Sequence, residues 1–366
     1  MTAAKEVLSE IRNHVAFITL NRPSALNALS LGMILELRDI LESCAADPSI
    51  HAVLLQGAGG KAFCAGGDIR ALYQSFKDGG SLHREFFAAE YPVDYLLYEY
   101  PKPYVVVMDG ICMGGGMGLA QGSRLRIVGE RTRMAMPEVA IGFFPDVGGS
   151  YFLSRLPGKL GLYLALTGIQ IRAADAIYCR LADFYLPATA AAKLNDELAA
   201  LSWSEDHDAD VRRCLASLET PATTTVASPT AVPPTAVPPT ALPTLAPLRA
   251  AIDQHFSKRT PRDIIESLEL ERSEYAQWAG QTAAIMRSRS PTMLSVTLRQ
   301  LERGAALSLA DCFRMELGLA AHSFIQGDFI EGVRAVLIDK DKAPRWNPAR
   351  IEEVSDASVD AFFAAN

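Results

Sequence analysis

Along the first third of the chain, apolar residues recur in two rhythms. "VAFITL" (15 to 20) and "HAVLLQG" (51 to 57) are short, rich in β-branched residues and bounded by turn formers, which predicts strands. Between them, from Ser30 to Cys44, apolar positions return at helical spacing, so the chain opens as β-α-β. The theme repeats with helical periodicity across 68 to 100, a strand at "PYVVVMDG" (103 to 110), a glycine cluster and a strand at "RLRIVGE" (124 to 130). Such alternation predicts an α/β core with crossover connections, and it places chemistry in the loops at the strand ends.

Both rhythms stop between Thr220 and Pro247. That stretch carries no charge and contains "AVPPT" twice in succession. Proline fixes φ and removes backbone donors, so the segment reads as a polyproline-like or disordered linker or insert. No Arg or Lys lies within it, which favours a spacer over a docking motif. Beyond it, Thr260-Pro261 with Asp263, Ser290-Pro291, and Ser308 with Asp311 predict three capped helix starts. The expected organisation is a catalytic core over 1–200, a linker or insert over 220–247 and a helical region over 248–366.

Composition narrows the partners. Of the 366 residues 49% are hydrophobic, enough for a sizeable core, and the net charge of −7 comes without a basic cluster. Nucleic acid and anionic membranes are thereby disfavoured. Apolar runs such as "YVVVM" fall far short of the ~20 residues of a membrane helix. The six cysteines are scattered, with neither a C-x-x-C pair nor a metal-like spacing to histidine, so reduced thiols and no metal are expected. His14, His51, His83, His207, His255 and His322 read as isolated surface or satisfied core residues. The opening lacks a secretory or organelle presequence pattern, so the expected setting is a reducing bacterial cytoplasm, or a mitochondrial matrix if the source is eukaryotic.

Candidate chemistry sits in two glycine-rich loops and one acidic segment. "DGICMGGGMGLA" (109 to 120) and "GAGGKAFCAGGDI" (57 to 69) each follow a strand and precede a helical pattern. Glycines there let backbone N–H groups reach a ligand, and two such loops converging on one carbonyl oxygen would stabilise charge developing on it. Tight helix-strand packing explains one such cluster equally well. Neither loop has the spacing of a dinucleotide or P-loop motif. Cys64 and Cys112, near the loops but without a neighbouring histidine, read as packing residues. In "MPEVAIGFFPDVGGSYF", Glu138 and Asp146 stand among apolar residues and glycines. Taken singly, Glu138 reads as a helix cap after Pro137 and Asp146 as an Asx-type turn.

Together, "NRPSALNAL" (21 to 29), "GGKAFCAGGDIR" (59 to 70), "DGICMGGGMGL" (109 to 119) and "MPEVAIGFFPDVGGSYFL" (136 to 153) resemble the crotonase, or enoyl-CoA hydratase/isomerase, superfamily. The resemblance implies a ββα spiral core, here with a helical C-terminal region. It also implies an oxyanion hole for an acyl-CoA thioester, carried here by the N–H groups of Gly67 and Gly115. Enoyl-CoA hydratases of the superfamily carry one glutamate just after the triple glycine and another in the "PE" segment. This chain has Gly118 at the first place and Glu138 at the second. With "GKLGLYLALTG" (158 to 168) and "GDFIEGVRAVLIDKDKAPRWNP" (327 to 348), it is most similar to the 3-hydroxyisobutyryl-CoA hydrolase branch.

That likeness makes Glu138 and Asp146 the candidate catalytic pair and Glu90 a candidate contact to the substrate hydroxyl. Leu26, Ala28, Ala65 and Asp68 resemble positions along the CoA groove. Read alone, Leu26 and Ala28 are helix-start residues and Asp68 is a helix N-terminal acid, its favoured reading. "GVRAVLIDKDKAPRW" is either an element over the site or a simple helix and tail. The implied activity is thioester hydrolysis of a short 3-hydroxyacyl-CoA, with no cofactor beyond the CoA of the substrate. The alternatives are an enoyl-CoA hydratase or isomerase and a non-catalytic acyl-CoA-binding scaffold. Self-association is expected, because the superfamily commonly forms trimers.

Overall fold

The computed structural model describes residues 5–219 and 242–364, so most of the proline-rich stretch, 220–241, lies outside the described residues. The strands are β1 (Val7–Arg12), β2 (Val15–Leu20), β3 (Ala52–Gly57), β4 (Ala62–Cys64), β5 (Tyr104–Val107), β6 (Ile111–Met113), β7 (Leu125–Val128), β8 (Arg133–Ala135) and β9 (Phe184–Tyr185). Helices α1 (Leu31–Ala46), α2 (Ile69–Lys77), α3 (Leu82–Tyr98), α4 (Gly115–Gln121), α5 (Gly149–Phe152) and α6 (Leu160–Thr167) punctuate them. The chain divides into two compact units that interleave along the sequence.

The first unit takes Met1–Gly66, Leu96–Met134 and Ile171–Ala246. Its main sheet has the order β1-β2-β3-β5-β7-β9. Only β1 and β2 are antiparallel; the rest run parallel. β2 is buried almost throughout, which is why "VAFITL" is a continuous apolar run rather than an alternating one. β1 was not legible in advance: "VLSEIR" is a mostly exposed edge strand whose charged residues suppress the apolar signal. Leu54, Val105 and Ile127 of the sheet pack against Leu198 and Leu215 of the helices Leu194–Ala199 and His207–Leu218. The end of the proline-rich stretch is packed rather than a free linker: Leu245 is buried and donates its N–H to Asp175 at 2.9 Å.

α1 begins where the sequence predicts, with the Ser30 hydroxyl accepting from the Met33 N–H at 3.1 Å. The histidines are less isolated than expected. His14, His51 and His207 stack in a row, with ring centroids 4.3 and 4.0 Å apart. No metal-holding group of side chains occurs among the described residues, and none of their helices is long and apolar enough to cross a membrane. All six cysteines are buried, and none of them is in a disulfide.

The second unit takes Gly67–Tyr95, Ala135–Gln170 and Pro247–Asn366. It is the helical C-terminal region together with α2, most of α3, α5 and α6. Thr260, Ser290 and Ser308 each cap a helix, accepting from the N–H groups of Asp263, Met293 and Asp311. They start Pro261–Glu269, Pro291–Gly304 and Leu309–Gln326, as the capping signatures predict. The helical periodicity read across 68 to 100 is two helices, α2 and α3, separated at Asp78-Gly79-Gly80, where Gly79 takes φ +77.

Candidate active site

In the first unit the glycine loops leave the same end of a small sheet. β4 and β6 pair in parallel within the order β4-β6-β8, with Cys64 opposite Cys112. Gly66, at φ +101, lies so close that an added Cβ would sit 3.6 Å from the Gly115 amide nitrogen. A Cβ on Gly116 would fall 2.5 Å from the Cys64 carbonyl oxygen. Glycine is favoured at 66 by its positive φ and required at 116 by close backbone approach, and the two loops are in contact here. The "NRPSALNAL" segment is stitched to the same place: Ala65 N–H donates to the Leu26 carbonyl at 3.1 Å and Leu29 N–H to the Gly66 carbonyl at 2.8 Å.

Leu26 is not a helix-start residue. It ends the short 3₁₀ turn Pro23–Ala25 in a left-handed conformation, φ +54, and α1 starts only after Ser30. Asp68 caps α2, accepting from Ala71 N–H at 3.3 Å, in agreement with its favoured reading.

The second unit gathers the acids. Glu90 and Asp94 lie one turn apart on α3, Glu138 opens the 3₁₀ turn Glu138–Ile141, Asp146 precedes α5, and Glu316 comes from the helix Leu309–Gln326. None is more than 6% exposed, and among the described residues none pairs with Lys or Arg. Aromatic rings help to exclude water. Phe87 stacks on Phe143 at 5.7 Å, and Phe329 packs against both Phe143 at 4.8 Å and Phe324 at 4.7 Å.

Burial without cationic partners penalises the charged forms. Desolvation holds Glu90, Asp94 and Glu138 well above the usual carboxylate range, and the charge of Asp146 pushes all three further in the same direction. Asp146 is raised to about 7 by burial, against the pull of a hydrogen bond from Tyr91. Glu316 is raised to about 8, again by burial, although two backbone N–H groups oppose it. The cluster thus holds protons near neutral pH, where acid and base roles can be exchanged.

Neither of the structural readings of the central pair holds. Glu138 makes no capping bond, and its Oε2 is buried without a partner. Asp146 forms no Asx-type turn, because the Gly148 and Ser150 N–H groups donate to Glu316 instead, each at 2.8 Å. Asp146 Oδ2 accepts from the Tyr91 hydroxyl at 2.8 Å. Glu90 Oε1 and both Asp94 oxygens are also unpartnered.

Glu90, Glu138 and Asp146 are therefore brought together as the sequence suggests, whereas Tyr91, Asp94 and Glu316 were missed. "EYPVD" does hint at Asp94, since it stands four residues from Glu90 and so shares its helix face. Glu316 stands 168 residues from Gly148, beyond any local pattern.

The C-terminal element lies on the turn that carries Glu138. A Cβ on Gly332 would meet Ile141 backbone at 2.3 Å, and one on Gly142 would meet Asp328 backbone at 2.5 Å. A surface groove of about 780 Å³, lined by residues including Arg303, Leu307, Met315 and Phe363, contains none of these acids.

The family model described as enoyl-CoA hydratase/isomerase matches residues 15–363. The chain belongs to that family. Among its curated relatives is the mitochondrial 3-hydroxyisobutyryl-CoA hydrolase of Xenopus laevis, 43% identical over 354 residues, 95% of this chain and 86% of the relative. A solved carnitinyl-CoA dehydratase from Mycobacterium thermoresistibile covers 99% of this chain and 97% of its own, at 40% identity and a TM-score of 0.86. An enoyl-CoA hydratase from Rhodobacter sphaeroides covers 98% of this chain and 97% of its own, at 34% identity and a TM-score of 0.82. Membership of the enoyl-CoA hydratase/isomerase family accounts for the crotonase-type α/β core, and the near-complete coverage extends the likeness into the helical C-terminal region.

Proposed function

We propose that this chain hydrolyses the thioester of 3-hydroxyisobutyryl-CoA, or of a related short 3-hydroxyacyl-CoA, to the free acid and CoA, a step of valine catabolism. The observation that carries the reading is the burial of Glu138 and Asp146 in one proton-holding cluster, in a chain with glycine at 118. The 3-hydroxyisobutyryl-CoA hydrolase relatives support it along nearly the whole chain.

In the proposed reaction the N–H groups of Gly67 and Gly115 polarise the thioester carbonyl. Each such donor is typically worth ~10²–10³ in rate. Glu138 either attacks the carbonyl carbon or takes a proton from a water that attacks it, giving a tetrahedral adduct. Its collapse breaks the C–S bond, and CoA leaves as a thiolate that is protonated on release; on the first route water then cleaves the Glu138 anhydride, freeing the acid and restoring the carboxyl group. Asp146 orients Glu138 or the water, while the free Oε1 of Glu90 meets the 3-hydroxyl. Leu26, Ala65 and Asp68 flank the CoA moiety.

Water is the only co-reactant, so the scheme requires no metal and no further cofactor. The finer expectations from the sequence belong to the same proposal: a bacterial cytoplasm or mitochondrial matrix as the setting, and self-association of the chain.

Hydration of an enoyl-CoA is the second reading, favoured by the names of the two solved neighbours. Gly118 stands against it, because the superfamily's hydratases use a glutamate pair. A thiol-release screen over short acyl-CoA thioesters decides. CoA release from 3-hydroxyisobutyryl-CoA without hydration of crotonyl-CoA is expected. Hydration alone would establish the second reading, and tight binding with neither reaction would point to an acyl-CoA-binding scaffold.

A further inference from the structure

The turn that follows Asp146 is held by side chains far away in sequence. Glu316, fully buried on the helix Leu309–Gln326, accepts from Gly148 N–H through Oε2 and from Ser150 N–H through Oε1, both at 2.8 Å. From the helix Pro291–Gly304, the buried Gln300 Nε2 donates to the Pro145 carbonyl at 2.6 Å and to Ser150 Oγ at 2.8 Å. Gly304 closes the same contact, since a Cβ there would lie 2.3 Å from the Ser150 carbonyl oxygen. Two helices therefore grip residues 145 to 150 at several points.

What they grip is strained. Val147, next to Asp146, has φ +53. A β-branched side chain rarely adopts that left-handed conformation, which persists only where neighbours over-determine it. Asp146, one residue before, receives the Tyr91 hydroxyl on Oδ2 at 2.8 Å. Its alignment with Tyr91 depends on the path of this turn.

We propose that Glu316 is a positioning residue that fixes the turn 145–150 and through it aims the Asp146 carboxylate, with Gln300 as a second strut. The inference rests on reading Asp146 as part of the reacting site. A glutamate side chain suits the task because each of its two oxygens can accept one N–H donor, whereas glutamine would set an NH₂ against one of them. The C-terminal helices thus reach the chemistry through the backbone of the turn, without touching substrate. Their burial is costly for an acid, and the paired N–H groups offset that cost.

The test compares Glu316→Gln and Gln300→Met with the parent chain by two readouts. Steady-state thiol release should show kcat lowered about 10- to 100-fold in Glu316→Gln with KM within about twofold, as expected when a reacting group is misaimed. Proton NMR should show the buried Tyr91 hydroxyl signal, assigned by its loss in Tyr91→Phe, displaced or lost. Gln300→Met should move both readouts in the same sense, and it serves alone if Glu316→Gln does not fold. An unmoved hydroxyl signal with kcat per folded molecule equal to the parent's overturns the proposal, even if melting temperature falls. A parent chain that releases no thiol overturns the hydrolase reading only, since the hydroxyl signal still reports whether Glu316 aims Asp146.

Discussion

Tyr91 and Asp146, 55 residues apart, meet in the buried acid cluster, the phenol donating to Oδ2 across 2.8 Å. That bond draws the Asp146 pKa down against a desolvation that raises it to about 7. In Tyr91→Phe the opposing pull is gone, so Asp146 should ionise at higher pH. A hydrogen bond to a charged group is worth roughly 1.5–3 kcal/mol, and a pKa unit is about 1.4. The ascending limb of kcat against pH should accordingly move up by about one unit, with activity at pH 7 lowered about fivefold. A profile that overlays the parent's would contradict this.

Glu138→Gln and Asp146→Asn keep volume while removing the capacity to exchange a proton. Each should lower hydrolysis by about 10²–10⁴, the usual range for a positioned acid or base, with the circular dichroism spectrum retained. Parent-like turnover in either variant removes that residue from the mechanism. For the parent, single turnover in ¹⁸O water followed by mass spectrometry of the Glu138 peptide separates the two roles. Label in the carboxylate marks a nucleophile, and its absence marks a base.

Stability should fall as pH rises from 5 to 8. Asp146 and Glu316 ionise near 7 and 8 in the fold, against 3.8 and 4.5 for the free side chains. Within that interval the folded chain holds protons that the unfolded chain has already lost, so their stabilisation is full below pH 4 and disappears as pH passes their folded values. Each group can contribute a slope of up to about 1.4 kcal/mol per pH unit. His51 and His83, whose pKa values are lowered by burial, act in the opposite sense below 6.5. The comparison with Asp146→Asn in urea unfolding at pH 5, 6, 7 and 8 isolates the acids: the variant's curve should be flatter, and equal slopes would refute the assignment.

Gly116→Ala should separate β4 from α4. Its new Cβ would lie 2.5 Å from the Cys64 carbonyl oxygen, a backbone atom that moves only with its strand. Overpacking of this kind costs about 1–3 kcal/mol. Because the neighbouring Gly115 N–H is a proposed oxyanion donor, kcat should fall along with the melting temperature, by up to the ~10²–10³ of one donor. Unchanged kcat at a lowered melting temperature would exclude Gly115 from the oxyanion site.

Much of this was written in local sequence. Ser30, Thr260, Ser290 and Ser308 cap the helices that they announce, because an N-cap is settled within four residues. β2 showed itself by continuous apolarity, while β1 hid because an edge strand has little to bury. In the acid cluster, Glu138, Asp146 and Glu90 were legible through family motifs. Asp94 and Tyr91 were visible only once α3 fixed which residues share a face, and Glu316 depended on a contact across 168 residues. The stack of His14, His51 and His207 is likewise a tertiary product of three distant segments.

The six buried cysteines make product counting simple. Colorimetric thiol reagents react with exposed thiolates, and burial pushes Cys112 far up and Cys214 and Cys312 to about 11. Native protein should stay silent toward such a reagent, so every equivalent of colour in an assay comes from liberated CoA, even at enzyme concentrations equal to substrate. A first turnover then becomes countable without background, and denaturing the same sample should release six further equivalents, calibrating the amount of enzyme in the cuvette.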